Sequence, residues 1–168
     1  VVVEQMAHLV DASSCVILEW DPESGLLMSR ARYIRPEYRA PGAPVQYVEA
    51  SYDLRDYPAK GVSLREQEPF VAYVDDEQAD PQERDLLKRE GWYGVAGIPL
   101  FVQDQALGLI QVYLSRAEQS LEEHDIRLLQ TLANQVAVTV QNARLFEALQ
   151  AREANLRDLS RRLINVQE

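Results

Sequence analysis

The chain has 168 residues, 46% of them apolar, with 17 basic against 27 acidic side chains and a formal net charge of -10. One ordinary domain with a real core fits that size, and the acidic excess sits in residues 1–150, because residues 151–168 hold four Arg against three acids. An acidic body does not suit a phosphate backbone, and no apolar run approaches a membrane span or follows a basic leader, so the expectation is a cytoplasmic domain with no nucleic-acid or membrane contact.

In VVVEQMAHLV, Val3, Met6 and Val10 fall at helical spacing and predict an amphipathic N-terminal helix. SSCVILEW and LLMSRARYI flank DPESG, a Pro- and Gly-bearing turn, and together read as a β-hairpin. Cys15, the only cysteine, lies in the first strand as a buried structural thiol. Standing alone, it excludes an internal disulfide, a CxxC redox pair and a thiolate zinc site. Residues 35–45, RPEYRAPGAPV, hold three Pro and a Gly and predict a loop. QYVEASYDL predicts a third strand, and YPAKGVSLREQ a short helix with Pro58 near its start, where the missing N–H matters little.

EPFVAYVDD is a further strand, rich in β-branched and aromatic residues. In ADPQERDLLKREGW, Asp80 caps a helix, Pro81 opens its first turn, Glu83 completes a capping box and Gly91 ends it. GVAGIPLFV and ALGLIQVYL are two strands around QDQ, and Ser120 with Glu123 forms a second capping box that opens a long helix from about residue 120. Along that helix Leu129, Leu132, Ala133, Val136, Ala137, Val140 and Ala143 make a stripe wide enough to cover a sheet.

Past residue 144 the apolar positions alternate steps of four and three. Leu145, Leu149, Leu156, Leu159, Leu163 and Val166 form the narrow seam of a coiled coil, interrupted by Arg152. Glu153 with Arg157, and Asp158 with Arg162, add acid-first pairs four residues apart. The seam predicts a homodimer through parallel terminal helices, and it divides the chain into a domain over 1–150 and the start of a signalling helix over 151–168.

The order of elements resembles the GAF domain over about residues 1–150. The resemblance is carried by WDPESGLL, by LLKREGWYGVAGIPLFVQDQALGLIQVY and by LEEHDIRLLQTLANQVAVTVQNARLFEAL. It implies an α+β, PAS-like fold, an antiparallel sheet flanked by helices with a ligand-sized cavity on one face, and a sensory role set by that pocket rather than by the fold. The closing LRDLSRRLINVQE is similar to the start of the dimerisation helix in sensor histidine kinases, where a phosphate-accepting His follows shortly after. This second resemblance implies a downstream kinase domain in the full-length chain, a two-component system, and no catalysis by the present residues.

Within that family the sequence lacks the parts of several chemistries. Free methionine sulfoxide reductases need a second thiol. The Asn-Lys pair of cyclic-nucleotide GAF domains is missing, as is a pocket Cys beside a His for a bilin. His124, the one conceivable haem donor, reads as exposed surface in a capping turn. The glycines at 91, 94 and 97 do not have dinucleotide spacing. No cofactor and no metal are therefore expected, and an unknown small molecule remains as the ligand. In ALGLIQVYL, Ile110, Val112 and Leu114 share a face suited to packing under the long helix, while Leu109, Gln111 and Tyr113 share the other. By the same alternation Ser29, Ala31 and Tyr33 line one face of the second strand. Tyr33, Gln111 and Tyr113, with Tyr57, Tyr73 and Trp92 as aromatic walls, are the candidate pocket residues.

Overall fold

A computed structural model of the protein describes residues 2–39 and 50–167. Among the described residues six strands build one antiparallel sheet: β1 (Ser14–Asp21), β2 (Leu26–Ile34), β3 (Ser51–Asp53), β4 (Phe70–Tyr73), β5 (Gly94–Val102) and β6 (Gln105–Leu114). Their order across the sheet is β3-β2-β1-β6-β5-β4. The helices α1 (Val2–Leu9) and α4 (Glu123–Val166) pack on one face, and α2 (Pro58–Glu66) and α3 (Pro81–Glu90) on the other. Of the expected loop, Pro36–Tyr38 forms a 3-10 turn; its part from residue 40, and the first part of the expected third strand, lie outside the described residues.

Strand alternation sorts the core. Cys15, Ala96, Ile98, Leu100, Ile110, Val112 and Leu114 meet Met6 and Ala7 of α1 and Leu129, Ala133 and Ala137 of α4. Val16, Leu18, Leu27, Val95, Leu109 and Tyr113 meet Leu64 of α2 and Leu86 and Leu87 of α3. Each fully buried aliphatic side chain contributes about 1.5–3 kcal/mol, so both cores are needed to hold the layers together. The register breaks once in the hairpin: Ile17 pairs with Ala31 but Leu18 pairs with Ser29, leaving Arg30 as an extra residue in β2.

The helix ends follow the sequence with two corrections. Asp80 caps α3 by accepting from the N–H groups of Gln82 and Glu83, at 2.8 and 3.3 Å, and Gly91 closes it in the left-handed region at φ 77°. Glu83, however, does not complete a capping box; its carboxylate turns inward to Lys60. The long helix begins at Glu123, not Ser120, because the carboxylate of Asp125 accepts from the Glu122 N–H at 2.8 Å and so fixes the start three residues later. Among the described residues no helix is long and apolar enough to cross a membrane.

Candidate functional site on the face beneath α2 and α3

The register places side chains in rows across the α2/α3 face. One row runs Ile34, Ser14, Tyr113, Val95, and the next runs Arg32, Val16, Gln111, Gly97, Phe70. Tyr113 stands at the centre. Its ring centroid is 5.4 Å from that of Trp92, and the guanidinium carbon of Arg32 lies 5.8 Å from it. The Tyr113 hydroxyl donates to Oε1 of Gln111 at 3.1 Å. Burial pushes that hydroxyl well above its ordinary pKa, so it stays a neutral donor.

Three polar groups around Tyr113 are buried with no hydrogen-bond partner among the described residues: Ser14 Oγ, Trp92 Nε1 and Gln111 Nε2. Ser14 and Gln111 are fully buried and Trp92 is 9% exposed. Leaving a buried donor unpaired costs about 1–3 kcal/mol, and native folds rarely leave several side by side. The amide oxygen of Gln111 is already taken by Tyr113. The amide and the indole therefore have donor capacity to spare, and the cluster is shaped chemically for an acceptor.

Beside this cluster α2 and α3 are joined by a buried ion pair. Nζ of Lys60 lies 2.5 and 2.7 Å from the two carboxylate oxygens of Glu83, with side chains 0% and 1% exposed. The ammonium also faces the rings of Tyr57, Tyr52 and Phe70, at 4.6, 5.2 and 5.9 Å from their centroids. Burial pulls the Lys60 ammonium down from its ordinary pKa and pushes the Glu83 carboxyl up, while the attraction between them opposes both shifts. Neither residue is singled out by the sequence, because Glu83 fits a capping position and Lys60 stands in an unremarkable helix.

Of the six candidate pocket residues, four lie on this side. Trp92, Gln111 and Tyr113 form the cluster, and Tyr57 packs its ring edge-on to Tyr52 at 5.5 Å while its hydroxyl accepts from Arg89 at 3.2 Å. Tyr33 and Tyr73 lie on the opposite side, against the α1/α4 core. The Tyr33 hydroxyl is 3.2 Å from Nε2 of His8, and the Tyr73 ring is 5.4 Å from Tyr93. For Tyr33 the cause is the bulge at Arg30: it keeps Ser29 on the Leu18 face but turns Ala31 and Tyr33 to the other. Arg32 takes the place that unbroken alternation assigns to Tyr33. Ser14 was legible by alternation with Val16 and Leu18; Arg32 was not.

Around Tyr113 the described side chains are buried, with Gln111 at 0% and Tyr113 at 1% exposure. Among the described residues, grooves also line α4. One of about 460 Å³ runs between α1 and α4 along Val2, Leu9, Leu132 and Val136. Another of about 290 Å³ lies beneath Arg144.

Solved structures of low identity share this fold. The photoproduct state of GAF3 from Slr1393 of Synechocystis sp. PCC6803 is 20% identical, with 89% of this chain and 94% of that chain covered and a TM-score of 0.70. The GAF domain of a two-component sensor histidine kinase from Bacillus halodurans is 15% identical, with 87% and 95% covered and a TM-score of 0.65. The phycocyanobilin-bound GAF domain of a cyanobacterial phytochrome is 16% identical, with 84% and 81% covered and a TM-score of 0.69. No curated protein matches the chain.

These neighbours overturn the expectation of no cofactor, since a domain of this fold holds phycocyanobilin and others are cyanobacteriochromes. Geometry limits only the linkage: Cys15 lies in the α1/α4 core, across the sheet from Tyr113, so a group held at the Tyr113 cluster is not tethered through it. The family model of the GAF domain matches residues 1–140, and with the six-stranded antiparallel sheet between two helix layers it establishes that this chain belongs to the GAF domain family.

Proposed function

We propose that the chain is the cytoplasmic signal-input domain of a two-component sensor histidine kinase. In this reading it catalyses nothing itself, binds a small molecule at the Tyr113 cluster, and relays occupancy to a kinase domain of the same polypeptide through a dimeric C-terminal helix. The observation that carries it is the continuity of α4. One 44-residue helix, about 65 Å long at 1.5 Å per residue, covers the sheet with its first half and projects its second half away from it. On the projecting half Leu145, Leu149, Leu156, Leu159, Leu163 and Val166 are 55–84% exposed, the condition of a seam awaiting a partner helix. The kinase assignment draws further support from the similarity of LRDLSRRLINVQE to a kinase dimerisation helix and of the fold to the Bacillus halodurans domain.

The unpaired donors of Ser14, Trp92 and Gln111, with Arg32 above the Tyr113 ring, favour a planar ligand rich in acceptors, such as one bearing carboxylates. A bilin, with its propionate groups, belongs to that class. The ligand shifts the balance between alternative packings of the α2/α3 layer only by its differential affinity for them. Native mass spectrometry of the freshly purified protein, with an absorption spectrum of the same sample, tests this. Added mass that is lost on denaturation is expected, with visible absorption if the group is a tetrapyrrole. A colourless protein of bare polypeptide mass, unchanged after incubation with phycocyanobilin or aromatic carboxylates, would leave a dimerising spacer whose sensing face is filled by its own rings.

A further inference from the structure

We propose that Glu19 is the joint through which the sheet steers α4, with Arg30 and Arg144 as its two arms. The inference rests on the reading of the Tyr113 face as the sensing face and of α4 as the output, and it names the residues that connect them. Arg144 stands where α4 leaves the body: Val140 still packs on the core, Arg144 is half-buried, and Leu145 and the residues after it are exposed. Its Nε donates to Oε1 of Glu19 at 2.9 Å, and its Nη2 donates to the carbonyls of Trp20 and Leu107 at 3.0 and 3.3 Å. One side chain thus holds the exit turn of the helix to β1 and β6 together.

The second oxygen of Glu19 accepts from Nε of Arg30 at 2.6 Å. Arg30 is the extra residue of the β2 bulge; the residue before it, Ser29, sits beside Leu18 on the sensing face, and two residues after it Arg32 lies over the Tyr113 ring. A shift of β2 at that face therefore pulls on the carboxylate that also holds α4. Glu19 itself is fixed in the sheet. It pairs with Gly108, where a Cβ would run into the carbonyl oxygen of Leu18, so β1 and β6 approach too closely there to slide. The groove of about 290 Å³ beneath the pair, lined by Leu18, Leu100, Leu107, Val140 and Ala143, gives the exit turn room to move.

Ion pairs this close to solvent add little to stability: the Glu19, Arg30 and Arg144 side chains are 23%, 54% and 29% exposed, and pairs of that kind contribute about 0–1 kcal/mol. What the arrangement fixes is an angle. Two charge-assisted hydrogen bonds on one carboxylate, one from the neighbouring strand β2 and one from α4, set the direction in which the seam departs.

Coupling is demonstrated by a cycle of substitutions, not by position. The full chain, with leucine methyl groups labelled for NMR, is perturbed at the sensing face by Ser29→Ala and, separately, by Arg32→Gln. In the otherwise native protein both are expected to move the methyl resonances of Leu145 and Leu149, and to move those of nearby Leu18 and Leu109. In Glu19→Gln and in Arg144→Gln backgrounds the Leu18 and Leu109 shifts are expected to persist while the Leu145 and Leu149 shifts fall to within error. Tail shifts that survive both substitutions, or that never occur in the native background, overturn the joint. Because no ligand is added, an empty protein in the mass measurement would sink the ligand reading without touching this result.

Discussion

Burial of Cys15 in the α1/α4 core pushes its thiol from 9.0 up to about 12, and the reason is that no charge or donor compensates the desolvated thiolate. The sign of the linkage follows. The folded chain keeps a proton that the unfolded chain loses, so the stability owed to this group is complete below about pH 9 and drains away as pH rises toward 12. Each pH unit in that window removes about 1.4 kcal/mol for one such site. Urea denaturation between pH 8 and pH 11 is expected to show a steeper loss of stability in the native protein than in Cys15→Ala, with the buried Tyr113 hydroxyl supplying part of the slope that remains. Equal slopes would mean that the thiol is solvated in the folded state.

Secondary structure was legible where one local rule governs an element. The β6 alternation separated Ile110, Val112 and Leu114 from Leu109, Gln111 and Tyr113 as the two cores require, and the pairs Glu153–Arg157 and Asp158–Arg162 form at 3.9 and 3.0 Å. Where two rules competed, the sequence was silent. Nothing in LLMSRARYI marks Arg30 as an extra residue, and it is this bulge that turns Tyr33 toward the α1/α4 core and Arg32 toward Tyr113. Glu83 satisfied the spacing of a capping box, yet tertiary contact with Lys60 won. That pair ties α2 to α3, and its energetics are testable as a cycle. Lys60→Met strands a buried carboxylate and is expected to lower stability by about 3–5 kcal/mol, whereas Lys60→Met with Glu83→Leu removes both charges and is expected to match the native stability or exceed it by about 1–4 kcal/mol. Urea unfolding curves of the two variants decide the matter; a double variant as unstable as the single one would show that the pair supplies stability of its own.

At the scale of the whole molecule, the projecting half of α4 raises a question that the isolated chain does not answer. Residues 145–166 are helical and exposed throughout, with no packing against their own domain to support them, and a helix in water owes most of its stability to an apolar face laid against something. The i,i+4 ion pairs supply only about 0.2–0.5 kcal/mol each, too little to hold six turns. A second copy of the seam supplies the missing face and, by mass action, makes the stability of the tail depend on protein concentration. A tenfold rise in concentration adds about 1.4 kcal/mol to a dimer, or about 0.7 kcal/mol per chain, which for a chain of this size raises Tm by about 1–3 °C. The full chain is expected to show that rise in thermal unfolding followed by circular dichroism, and a chain ending at residue 150 is expected to unfold at a Tm independent of concentration. If the full chain behaves like the shortened one, the seam is not a dimer contact, and its six exposed apolar side chains must be covered by something other than a second copy of this helix.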